Sequence, residues 1–401
     1  MEPNQEMEDK ISYQSLWDML YLSVCALHQA KPVPARVSKM ALDKIYRLSR
    51  FHGMASIVCM ALEDADAFAQ AGKPGLEQAW KEEKAKAVRK NMLLDAERAQ
   101  IFAGMEQMGI WYVPLKGIIL QELYPKYGMR QMSDNDILYD VSQQKDLIRY
   151  MKERGYSVYT NVGVHDDVFK KPPVYNFEMH KVLFSKGECP IYFEHYKTIK
   201  DKLRKDGQGQ YGYSFSDEDF YVYLTAHTQK HYMFSGVGLR FLMDAYVFLT
   251  AKEKTLDWDY IAAELQALGI LAFEKQAREL AMKLFSEHAL ESVPSLTEEE
   301  QEMFLYFAES GTYGTIKKRV QNRLQELQPE GAGFTRASRW KYLKKRLFPE
   351  MEWFQNCYPF LARHKILIPF FLAGRMVRGI LFRREFIKDE FKAVKKAEKE
   401  P

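Results

Sequence analysis

Apolar residues recur at helical spacing through the first hundred positions, and breakers divide them into predicted helices over 15–28, 35–51, 54–64 and 76–108. Pro32 and Pro34 end the first, and Gly72 with Pro74 precedes the longest. The pattern changes after Gly109, where Ile110, Trp111, Tyr112, Val113 and Leu115 form a short aromatic and β-branched run. That run predicts a strand, and the apolar period over 118–124 predicts a helix after it. Another strand is expected over 136–139, a helix over 143–154, and further strands over 156–160, 178–184 and 191–196. Residues 217–251 return to helix, opened by Ser216-Asp217-Glu218-Asp219 as cap and first turn. Further helices run to about residue 327, and 328–333 read as a polar linker.

The fold class that follows is α+β, with a small mixed-sheet core inserted between mainly helical regions. The expected divisions are a helical region over 1–108, the core over 109–200, a second helical region over 201–330 and a basic helical tail over 331–401. A chain of 401 residues exceeds what one core usually serves, which suits several units. Hydrophobic residues at 47% and charged residues at 28% are the balance of an ordinary globular protein.

The start, MEPNQEMEDK, lacks the basic flank and apolar run of a leader, so a cytoplasmic location is expected. Cys25, Cys59, Cys189 and Cys357 are too scattered for a zinc knuckle or disulfide framework and read as reduced, mostly buried thiols. The best apolar run, 366–373, is less than half of the roughly 20 residues that span a bilayer.

Charge is unevenly placed. From Gly331 onward 17 Lys and Arg face 7 Asp and Glu, so that segment carries +10 against +4 overall and the rest is net acidic. The tail interleaves bases with aromatics, as in Trp340-Lys341-Tyr342-Leu343-Lys344-Lys345-Arg346-Leu347-Phe348. A nucleic-acid contact, a peripheral membrane helix and a solvated face on a packed helix all fit this pattern.

The chemistry concentrates between residues 114 and 138. Pro114-Leu115-Lys116-Gly117 is followed by Tyr124-Pro125, by Arg130, and by Ser133-Asp134-Asn135-Asp136-Ile137-Leu138. Strand alternation puts Asp134 and Asp136 on one face. Converging carboxylates repel unless a cation lies between them, and magnesium, which shares its shell with water and phosphate oxygens, fits that need. Glu194, in the strand expected over 191–196, is the candidate third ligand. Lys116 and the Gly117 backbone, at a strand-to-helix turn, are candidates for cradling phosphate, with Arg130 as a further cation. His227, Lys230 and His231 share a helical face that could line a nucleotide site, or could be histidines bonded within a bundle. Arg240 and Asp244, four apart, read as an intrahelical ion pair.

Residues 115–138 resemble the uncharacterised nucleotidyltransferase family of the DNA polymerase beta-like superfamily, which shows an LKG turn, a helix ending in Tyr-Pro, an Arg and a D-x-D strand. Phe51-His52-Gly53, Glu194-His195 and the segment carrying His227, Lys230, His231, Arg240 and Asp244 extend the resemblance. Asn135 stands where the superfamily usually places an apolar residue. The resemblance implies transfer of a nucleotidyl group from a nucleoside triphosphate to an acceptor, with release of pyrophosphate. Asp134 and Asp136, with Glu194, would hold Mg2+, or Mn2+ in its place. Lys116, Gly117, Arg130, His227 and Lys230 would meet the nucleotide. The acceptor stays open among a small molecule, a sugar, a protein and an RNA. Two other functions stay open as well: a non-catalytic nucleotide- or partner-binding protein on a degenerate fold, and a membrane-surface adaptor acting through the tail.

Overall fold

Helices at Tyr13–Leu27, Leu42–Phe51, Ala55–Asp64 and Pro74–Met108 open the chain, where the apolar period and the breakers place them. The helix expected over 35–51 is broken, because the chain leaves helical geometry between the short turn Pro34–Val37 and Leu42. The computed structural model describes residues 13–65, 68, 74–160, 165–207, 209–312, 314–325, 327, 336–382 and 384–396, which form an α+β fold. The linker expected at 328–333 lies outside the described residues.

Five strands make the main sheet: β1 (Tyr112–Pro114), β2 (Asn135–Tyr139), β3 (Ser157–Thr160), β4 (Asp166–Lys171) and β5 (Tyr175–His180). Their order is β1-β2-β5-β4-β3, and only β2 and β5 run parallel. Alternation divides the sheet into two unlike faces. On one, Ile137, Tyr139, Phe169, Phe177 and Met179 pack with Leu94, Ile101 and Met105 of the long helix and with Leu147 and Met151 of the helix Gln144–Glu153. On the other, Val113 and Leu138 pack with Tyr223 and Ala226 of the helix Asp217–Phe234. Asp136, Glu178 and His180 stand on this second face by the same alternation.

Two elements differ from expectation. Residues 191–196 are helical within Pro190–Tyr196. Proline suits the first helical position, where its missing N–H has no partner to lose, and Tyr192 and Tyr196, four apart, both pack on Phe184. Aromatics at that spacing satisfy a helix as well as a strand. β4 has no sequence signal because His165, Asp166, Asp167, Lys170 and Lys171 hide its strand character; pairing with both neighbours makes it a strand.

The long stretch over 217–251 is two helices, Asp217–Phe234 and Leu239–Lys252, separated at Gly236, whose φ of 89° a side chain would resist. The Ser216 cap is present: its hydroxyl accepts the Asp219 N–H. Helices before and after the sheet share one core, with Leu16, Met19 and Ile57 against Leu242, Leu280 and Phe304. Cys25, Cys59 and Cys189 are buried free thiols, and the Cys357 side chain lies outside the described set.

Beyond residue 315 a run of helices ends in Ile368–Phe382 and Arg384–Lys396. Their small core joins Val320 and Leu324 to Tyr342, Ala393 and Val394. Among the described residues no helix is long and apolar enough to cross a membrane.

Candidate active site

β1 ends against β2, and the chain then turns sharply into the short helix Gly117–Leu120. Lys116 makes the turn at φ 48° and ψ −114°, a conformation that ordinarily belongs to glycine. Its ammonium is buried and meets Asp136 Oδ1 at 2.8 Å. Burial opposes the lysine's charge, but the Asp136 carboxylate outweighs it and raises the lysine's pKa.

Asp136 is the centre of the site. In the parallel β2–β5 register its partner is Glu178, and Leu138 partners His180. His180 Nε2 also lies 2.8 Å from Asp136 Oδ1, so that one oxygen takes both contacts. Burial would push Asp136 toward its neutral form, yet Lys116 and His180 together hold its carboxyl well below the usual range.

The neighbouring acids go the other way. Burial and the Asp136 charge push Asp134 up to about 6 and, with Asp134 added, push Glu178 up to about 8. Ligand atoms of Asp136, Glu178 and His180 lie within 4.8 Å of one another, a group that fits a divalent metal ion. Asp134, one residue before β2, stands outside that group but is coupled to it by charge.

The helix Asp217–Phe234 covers this face. Tyr223 is buried with its hydroxyl unpartnered, within reach of the Lys116, Asp136 and Glu178 charges. His227 and His231 share a 3.2 Å Nε2–Nε2 contact, in which one ring donates and the other accepts. Burial and the nearby cations depress the pKa of both, His231 to about 3, so both are neutral. The Lys230 amine makes no salt bridge among the described residues, and burial and Lys116 lower its pKa against the weaker pull of Glu188 and Asp166.

Residues 38–286, more than half the chain, match a family described as uncharacterised nucleotidyltransferase. The chain belongs to that family. No curated protein and no solved structure matches it. The matched stretch contains all five strands and the helix carrying His227, and it ends before the C-terminal helices.

Within this nucleotidyltransferase family member, two expectations need correction. Glu194 is not on a strand: it lies on the helix Pro190–Tyr196, exposed, with its carboxylate 2.6 Å from Lys197 Nζ. The acid beside Asp136 is Glu178. Arg130 does not present its guanidinium to a ligand. It is buried and clasps Asp244 with two prongs, Nε to Oδ1 at 2.8 Å and Nη2 to Oδ2 at 2.9 Å, while Tyr124 donates to Oδ1 at 2.7 Å. Asp244 is thus engaged from a distant segment, and Arg240 Nη1 donates to the Gln131 carbonyl.

Gly117 serves this arrangement. A Cβ there would sit 2.3 Å from Arg130 Nη1, so glycine allows the guanidinium to pass. Asn135 faces away from the site, where its side chain accepts from Arg98 at 2.8 Å. The long helix thus satisfies the amide that interrupts the two aspartates. Glu178 and His180 are absent from the residues expected above, although a signal exists: Phe177 and Met179 alternate with them, marking one apolar and one ionisable face.

Proposed function

We propose that this protein transfers a nucleotidyl group from a nucleoside triphosphate to an acceptor hydroxyl. The observation that carries the reading is the pairing of Asp136 with Glu178 on adjacent parallel strands, with Asp134 close enough to feel both charges. Three acids so placed destabilise one another unless a cation joins them, and burial together with this repulsion raises the pKa values of Asp134 and Glu178. Asp134, Asp136 and Glu178 would hold Mg2+, or Mn2+, through carboxylate oxygens, with the His180 imidazole steadying Asp136. When bound, the metal would supply positive charge to the triphosphate oxygens.

The acceptor oxygen forms a bond to the α-phosphorus while the bond from that phosphorus to the bridging oxygen of the β-phosphate breaks, and pyrophosphate leaves. Glu178, held as a carboxylate once a cation joins the acids, takes the acceptor proton. Lys116 and Lys230 offset the charge that moves to the pyrophosphate. Lys230 suits this role because no salt bridge among the described residues engages its amine and the Lys116 charge acts on it. His227, near enough to Lys116 to feel its charge, and the Gly117 backbone that follows Lys116 would complete the nucleotide's surroundings.

Pyrophosphate release from each nucleoside triphosphate, measured over a panel of sugar, protein and RNA acceptors, tests this reading. Release that requires divalent metal and disappears in Asp136→Ala and Glu178→Gln, but persists in Glu194→Gln, is expected. Release unaffected by Asp136→Ala would refute it.

A further inference from the structure

The helix Ile368–Phe382 turns a strongly apolar face outward. Phe370, Val377 and Leu381 stand one above another at helical spacing, Ile380 borders them, and Ile366 precedes the helix. Phe370 is 75% exposed, Leu381 67% and Ile366 81%. The helix is nonetheless anchored by its inner face, where Phe371 packs on Trp353, Phe354 and Tyr358 and Arg375 lies over the Trp353 ring. The outward apolar side chains are thus held in place rather than left over from a loose segment.

Cations rim this face. Arg363, Lys365 and Arg378 are exposed and make no salt bridge among the described residues. The described acids of the segment are already engaged: Glu350 with Lys345, Glu385 with Lys388, Asp389 with Lys392 and Glu390 with Arg346.

We infer that this face lies on the surface of an anionic lipid bilayer, with the helix in the plane of the interface. An apolar stripe bordered by unpaired cations matches a surface that offers acyl chains below and negative headgroups beside them. Fifteen residues reach roughly 22 Å, short of the roughly 30 Å hydrocarbon layer, so the helix rests on the membrane and does not cross it. A second copy of the chain fits less well, because a two-fold contact through this face would set cations against cations. Nucleic acid would use the cations and could stack on Phe370, but would leave the aliphatic Val377, Ile380 and Leu381 in water. The segment lies beyond the matched family residues, so docking and nucleotidyl transfer occupy separate parts of the chain.

Co-sedimentation of the full chain with vesicles of phosphatidylcholine, alone or mixed with phosphatidylglycerol, tests the inference. Binding to the mixed vesicles, weakened by salt and lost in Phe370→Glu/Leu381→Glu, is expected. Replacing Arg363, Lys365 and Arg378 by Ala is expected to weaken binding on the order of a hundredfold, from about 1 kcal/mol per charge. All the substituted side chains are exposed, and unchanged circular dichroism confirms folding. Equal partition onto both vesicle types, or binding indifferent to the glutamate substitutions, would overturn it. So would an absence of vesicle binding, whether accompanied by a dimer that Phe370→Glu dissociates, by oligonucleotide binding that only the alanine variant loses, or by neither.

Discussion

Lys116 Nζ and Asp136 Oδ1 meet at 2.8 Å in a buried ion pair that joins the turn after β1 to the centre of β2. The lysine is held there in a backbone conformation that glycine would adopt more readily. Lys116→Met keeps the backbone demand and removes the charge, leaving Asp136 with His180 alone. Urea unfolding without metal should show a loss of about 3–5 kcal/mol, the usual cost of stranding a buried charge. Added magnesium should restore more stability to this variant than to the parent.

Arg130 and Asp244 should behave as structural partners. Arg130→Met and Asp244→Leu are each expected to destabilise by about 3–5 kcal/mol, and the double variant Arg130→Met/Asp244→Leu that closes the cycle should lose well under the sum. Nucleotide affinity of the folded fraction should change little. A large affinity loss with intact stability would return Arg130 to the phosphate role.

Lys230 should show the reverse pattern. It makes no salt bridge among the described residues, so Lys230→Met should leave stability within about 1 kcal/mol while weakening triphosphate binding. Thermal unfolding and nucleotide titration on one sample separate the two effects.

These contrasts show what sequence can and cannot carry here. Asp134 and Asp136 are legible because strand alternation is local, and the Ser216 cap is legible for the same reason. Glu178 becomes Asp136's neighbour only through a parallel pairing that nothing local specifies. Glu194 is misleading because its aromatic neighbours alternate, whereas Pro190 ahead of them signals a helix start. Arg130 looks like a free cation because its partner, Asp244, lies on a helix more than a hundred residues later. The helices are legible in outline, since the 3.6-residue period survives wherever one face is buried.

Stability should depend on pH through Glu178. The folded chain holds that proton up to about 8, while the unfolded chain releases it near 4.5, so stability falls as pH rises across that interval. The buried histidines, neutral when folded, oppose this trend only below 6.5, where the unfolded chain is protonated. Between pH 6.5 and 8 the metal-free protein should therefore lose about 1–2 kcal/mol, and Glu178→Gln should flatten the slope. Divalent metal should stabilise the protein more at pH 8 than at pH 6, since it no longer competes with protons.

The central claim is that Asp136 and Glu178 form one metal-dependent nucleotide site. Calorimetric titration of the purified chain with each nucleoside triphosphate, with and without magnesium, tests it most directly. The account expects binding that needs the metal, is lost in Asp134→Ala/Asp136→Ala, is strongly weakened in Glu178→Gln and survives Glu194→Gln. Triphosphate binding that ignores both the metal and the Glu178 substitution would contradict it.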